Sequence, residues 1–116
     1  TVIVLAERAA IFVDGRYTLQ VRDQVDLAVF EPRAHTDVGK WLGEHLKPGE
    51  ALGYDPWLHT ESGVKALREA CDDAGANLVP VAANPVDAVW VDRPPRPLAR
   101  IVPHDLRYTG EPSADK

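Results

Sequence analysis

The sequence predicts an α/β sandwich built on a mixed sheet, and three observations carry that reading. Short apolar runs rich in β-branched residues alternate with amphipathic stretches of helical period. The connections between them are short throughout, the pattern of strands joined through helices. The first two runs are separated by a charged break alone, which supplies an antiparallel pair. The 116 residues suit one ordinary domain, able to hide roughly 65% of its unfolded surface.

Val2 to Ala6 is a continuous apolar run and reads as a buried strand. Glu7-Arg8 interrupts it before Ala10-Ile11-Phe12-Val13, so the two runs form a β-hairpin. Asp14 is then the N-cap of a helix whose apolar positions are Tyr17, Val21 and Val25. Leu27 to Glu31 is a third strand, stopped by Pro32. Val38, Trp41, Leu42 and Leu46 fall on one helical stripe, and Lys47-Pro48-Gly49 ends it. Ala51 to Tyr54 is a short strand running into Asp55-Pro56.

Thr60 caps the next helix, and Glu61 in its first turn complements the helix dipole. Its buried stripe is Val64, Leu67, Cys71 and Ala74, with Gly75 just past its end. Asn77 to Val81 is the last strand. Asn84 and Pro85 then open a short helix reaching Trp90. Pro94, Pro95, Pro97 and Pro103 follow within ten residues, which makes an extended connector rather than a second core. Tyr108 to Lys116 reads as a turn leading towards a further helix.

Composition excludes several classes of partner. The 13 Lys+Arg against 18 Asp+Glu give a net charge of −5, with no basic block, so nucleic acid and anionic membrane surfaces are poor partners. No apolar run approaches the roughly 20 residues of a membrane span, and no signal peptide opens the chain. Cys71 is the lone cysteine, which rules out an internal disulfide and suits a reducing, cytoplasmic setting. The chain contains no methionine and opens in mid-strand, so it reads as a piece of something longer.

The search for catalytic chemistry yields little. His35, His45, His59 and His104 are scattered, with neither a His-Glu-x-x-His element nor a calcium loop. Ser62 and Ser113 lie in no nucleophile elbow, and Cys71 sits on an apolar stripe as a small hydrophobe. Glycine-rich phosphate loops are absent. Asp72-Asp73 fit a solvated helix end at least as well as acid-base work. A carboxylate hydrolase using Asp55, Asp72 or Asp73 ranks last, because only Asp14 and Asp55 stand at strand ends. Trp41 reads as core, whereas Trp57 and Trp90 suit loop anchors or an interface.

Four elements resemble a known family. Val13-Asp14-Gly15-Arg16-Tyr17-Thr18-Leu19-Gln20 is similar to the "(T/V)DGRY-x-x-Q" corner of the creatinase N-terminal domain. Leu52 to Pro56 resembles its "GxDP" element. Asn84 to Pro94 is similar to the "N-(P/L)-V-D-x-(I/V)-W-x-D-R-P" stretch that closes the first domain of three-domain aminopeptidases P, with Val91 where the family usually has Thr. Tyr108, Gly110, Ser113 and Ala114-Asp115-Lys116 match the start of their second domain. The family's upstream helix, strand and "GF-x-GSAG" segment are not found, so the fold reads as truncated at its N-terminus.

The resemblance implies a three-layer sandwich of the creatinase N-terminal, ribonuclease-H-like kind. It divides the chain into a partial α/β domain at 1–83, a Pro-rich closing segment at 84–107 and the start of a linker at 108–116. It implies a parent X-prolyl aminopeptidase that removes the residue preceding proline from peptides, using two divalent ions, usually manganese. Those ions belong to a catalytic domain absent here, so this chain holds no cofactor or metal of its own. The partners implied are the second and catalytic domains of the same polypeptide, a second copy in a homodimer, and peptides with proline second. Within the chain the implied task is non-catalytic: domain packing, control of access to the active site, and dimer contacts. Asp14, Arg16 and Tyr17, with Trp90 and Arg93, are the candidates for an outward contact or for locking local corners. A stand-alone binding module on the same fold is the alternative.

Overall fold

The computed structural model describes residues 1–115. They divide into two compact units, Thr1–Pro85 and the segment from Val86 onward. In the first unit, β1 (Val2–Val4) and β2 (Ala9–Val13) make the expected hairpin, with Val2 opposite Ile11 and Val4 opposite Ala9. β3 (Phe30–Ala34) joins β2 in parallel, giving the order β1-β2-β3. β4 (Ala51–Tyr54) and β5 (Asn77–Pro80) pair in parallel as a second ladder. This is an α/β fold with a mixed sheet whose hydrogen bonds are divided between two ladders.

One core serves both ladders. Ile3, Ala10 and Phe12 from the first meet Leu52 and Leu78 from the second, around Trp41, Leu42, Leu46, Cys71 and Ala76. α2 (Val38–His45) buries Trp41 and Leu42 on the stripe that their spacing requires. Trp41 meets Phe12 edge-on, with ring centroids 5.8 Å apart. Side chains of this size contribute about 1.5–3 kcal/mol each when fully buried. α3 (Glu61–Asp73) begins where the Thr60 hydroxyl accepts the Gly63 N–H at 3.1 Å. It ends at Gly75, whose φ of +70° lets the Ala76 N–H turn back to the Cys71 carbonyl at 2.8 Å.

Three expectations need correction. The strand expected at Leu27 to Glu31 lies three residues later and runs through Pro32 rather than stopping at it. Asp26 sets the delay: its carboxylate accepts the Ala28 N–H at 2.9 Å, and its carbonyl accepts from Val29 and Phe30. Pro32 is tolerated because β3 is the outer strand of its ladder. The helix expected from Asp14 to Val25 is two pieces, a 3-10 turn at Gly15–Tyr17 and α1 (Gln20–Gln24). Of its predicted stripe only Val21 is fully buried, and Tyr17 is half-exposed. The turn expected over Tyr108 to Lys116 begins later, because Tyr108 and Thr109 belong to a short helix, α5 (Leu106–Thr109), which Asp105 caps and Gly110 closes at φ +76°.

α4 (Pro85–Val89) starts on the last residue of the first unit, and the second unit carries the rest of it, the proline-rich stretch without regular secondary structure, and α5. Leu98, Ile101 and Val102 in that stretch are exposed. Among the described residues no helix is long and apolar enough to cross a membrane. Lys116, part of the motif that resembles a second-domain start, lies outside the described residues.

Candidate functional site

The polar residues of interest gather where parallel strands end, the position at which open α/β sheets usually expose their functional groups. β2 ends at Asp14, whose carboxylate accepts the Arg16 N–H at 3.0 Å and Arg16 Nε at 2.9 Å. The Tyr17 N–H reaches the Asp14 carbonyl at 2.9 Å, and the Arg16 guanidinium stands 5.8 Å from the centre of the Tyr17 ring. The geometry here is local: an Asp two residues before a donor N–H closes a tight turn. Arg16 beside it holds the Asp14 carboxyl below the usual carboxylate range. Both side chains are largely exposed, at 54% for Asp14 and 78% for Arg16. A Cβ on Gly15 would meet nothing within 4 Å, so no other part of the described chain approaches the backbone closely there.

β4 ends at Asp55, which builds a denser cluster. Its carboxylate accepts the Trp57 N–H at 2.9 Å and Asn84 Nδ2 at 2.9 Å. These two bonds, the Asn84 amide first, hold its carboxyl below the usual range. His59 donates Nδ1–H to the Asp55 carbonyl at 2.9 Å and meets the Tyr54 ring edge-on at 5.7 Å. The Asp55–Asn84 bond spans 29 residues and ties the turn after β4 to the segment after β5. Beyond the cap, Trp57 projects with 94% of its surface exposed, and Leu58 beside it is exposed too.

A third polar group tethers β3 to α2. Glu31 accepts Trp41 Nε1–H at 2.9 Å and Arg33 Nε–H at 2.8 Å, and the Trp41 bond, ahead of Arg33, pulls its carboxyl below the usual range. His45 stacks on Trp41 at 4.5 Å and donates Nδ1–H to the Trp41 carbonyl. Sequence reasoning found Trp41 as core but not this partner, since ten residues of separation carry no local signal. The Asp55–Asn84 bond was equally hidden, although both residues lie in motifs singled out separately.

Trp90 and Arg93 lie together in the second unit, the guanidinium 5.6 Å from the indole centre and paired with Asp87. Thus Asp14, Arg16 and Tyr17 form one cluster, and Trp90 with Arg93 form another. Among the described residues no three His, Cys, Asp or Glu side chains converge as metal ligands. Asp14 and Asp55 end strands of separate ladders, and Asp72 and Asp73 close α3. These residues do not fit a metal centre.

Comparison with known proteins adds an independent line. The family model for the Creatinase/Prolidase N-terminal domain matches residues 1–92. Aminopeptidase P2 of Arabidopsis thaliana is 33% identical over 122 residues, which cover 100% of this chain and 17% of the plant protein. A probable Xaa-Pro aminopeptidase P of Penicillium rubens is 35% identical over 121 residues, covering 100% of this chain and 20% of that protein. The crystal structure of an X-prolyl aminopeptidase from Caenorhabditis elegans, described as a cytosolic enzyme with a di-nuclear active site, superposes with a TM-score of 0.78 at 31% identity. That superposition covers 98% of this chain and 19% of the nematode chain. The chain therefore spans about a fifth of the length of the relatives it matches.

Proposed function

This chain belongs to the creatinase/prolidase N-terminal domain family, and from that premise we propose that it is the non-catalytic N-terminal domain of an X-prolyl aminopeptidase. One observation carries the reading: the whole chain aligns with aminopeptidases P while covering about a fifth of each. In this reading the parent removes the residue preceding proline from peptides. Its two divalent ions, assigned as manganese, sit in another domain, in keeping with the di-nuclear active site of the nematode relative. The parent is a cytoplasmic homodimer.

This domain then packs beside the catalytic one and narrows access to the metals. The Asp14–Arg16–Tyr17 corner and the Trp90–Arg93 pair are the assigned contact points, each already held in a fixed shape by its own local bonds. A guanidinium so held loses little further freedom when it meets a carboxylate across an interface.

The test is peptide hydrolysis with manganese present, on a short peptide with proline second. The 116-residue chain alone is expected to release no amino acid, and the product of the complete reading frame is expected to release the first residue. A frame that stops at Lys116 overturns the peptidase assignment. Release by the chain alone, abolished in Asp55→Asn, overturns the non-catalytic assignment.

A further inference from the structure

Two arginines share a cleft in the first unit that has no part in the reading above. The turn between β1 and β2, the end of α1 and the loop leading into β3 enclose about 530 Å³, the size of a small-molecule site. Arg8 lines it from the turn and Arg22 from α1. Arg16, Arg33, Arg93 and Arg107 each pair with a carboxylate, but among the described residues Arg8 and Arg22 do not. They stay unmatched in a chain whose carboxylates outnumber its cationic side chains, 18 to 13.

The two carboxylates that line the same cleft leave these cations available. Glu31 is engaged by Trp41 and Arg33, and Glu7 forms no ion pair among the described residues. The loop into β3 adds an apolar wall. Leu27 and Val29 are exposed at 54% and 55%, with Phe30 beside them. Asp26 fixes that loop, its carboxylate accepting the Ala28 N–H and its carbonyl the N–H groups of Val29 and Phe30. Those three amides are thereby spent, so the donors left for a ligand are the two guanidinium groups.

We propose that this cleft binds a small organic carboxylate with an apolar body. Arg8 and Arg22 receive the carboxylate, for which the planar guanidinium fork is suited, and Leu27, Val29 and Phe30 cover the body. An exposed ion pair alone holds a ligand weakly, so binding needs both arginines and the apolar wall together. The cleft uses none of the residues assigned to domain contacts, and the proposal does not rest on the aminopeptidase reading.

Titration of the chain with phenylacetate to about 20 mM, followed by amide NMR shifts, tests it. Saturable shifts at Ala28, Val29 and the residues around Arg8 are expected, with a dissociation constant in the millimolar range. Acetate, which lacks the body, and 2-phenylethanol, which lacks the charge, are each expected to bind about fivefold more weakly or less. Arg8→Gln and Arg22→Gln, both at exposed positions, are expected to weaken phenylacetate by about fivefold with unchanged circular dichroism. Arg68→Gln, exposed on α3 and outside the cleft, is expected to bind as the unaltered chain does. Shifts that never saturate, acetate binding as tightly as phenylacetate, or an equal loss in Arg68→Gln overturns the proposal.

Discussion

Trp41→Phe tests the account of how β3 is fastened to α2. The indole is 1% exposed, donates Nε1–H to Glu31 at 2.9 Å and packs against Phe12 and His45. Phenylalanine removes the donor and leaves part of the site empty. A hydrogen bond to a charged group contributes about 1.5–3 kcal/mol when buried. Glu31 is 41% exposed, so water replaces the lost donor and about 0.5–1 kcal/mol remains. The smaller ring costs about another 1–2 kcal/mol in packing and void. The expected loss is about 1.5–3 kcal/mol, or a fall in Tm of about 6–12 °C for a domain of this size. Urea unfolding followed by far-ultraviolet circular dichroism measures it. A double-mutant cycle with Glu31→Ala isolates the bond, with an expected coupling of about 0.5–1 kcal/mol at pH 7.

The sign of the pH dependence follows from the lowered carboxyl of Glu31. The fold favours its charged form, so its contribution is present above the ordinary value of 4.5 and is lost as the pH falls through the lower folded value. The coupling is therefore expected to shrink in acid. A cost for Trp41→Phe below about 1 kcal/mol, or a coupling at pH 7 indistinguishable from zero, refutes the reasoning.

Gly43 lies inside α2, and a methyl group added there would meet nothing within 4 Å, so Gly43→Ala is expected to stabilise by about 0.5–1 kcal/mol in urea unfolding. Gly75→Ala is expected to destabilise, because φ there is +70° and the new carbon would stand 3.3 Å from Pro48; thermal melts compare the two. Thr60→Ala removes the hydroxyl that caps α3 and is expected to cost about 1 kcal/mol, with Thr60→Ser restoring most of it. Cys71 is fully buried, and burial pushes its thiol above the ordinary range, so a disulfide reagent at pH 8 is expected to label it at the rate of unfolding. Rapid labelling of the native chain would contradict that burial.

Local chemistry was legible in the chain itself. The stripe at Val38, Trp41, Leu42 and Leu46, the Thr60 cap and Gly75 beyond α3 each act within a few residues, so spacing alone located α2 and α3. Asp14 was likewise found as a cap, because its acceptor and donor lie two residues apart. The family motifs named the strand ends at Asp14 and Asp55 for the same reason. What the sequence could not carry was anything decided by partners far along the chain. Pro32 sits inside β3 because tertiary packing made β3 an outer strand, where a missing N–H is harmless. Asp55 is held by Asn84 across 29 residues, and Glu31 by Trp41 across ten, contacts set by how strands and helices stack. The exposure of Trp57 also belongs to the folded molecule, since periodicity tells which residues are apolar and only packing decides which of them are covered.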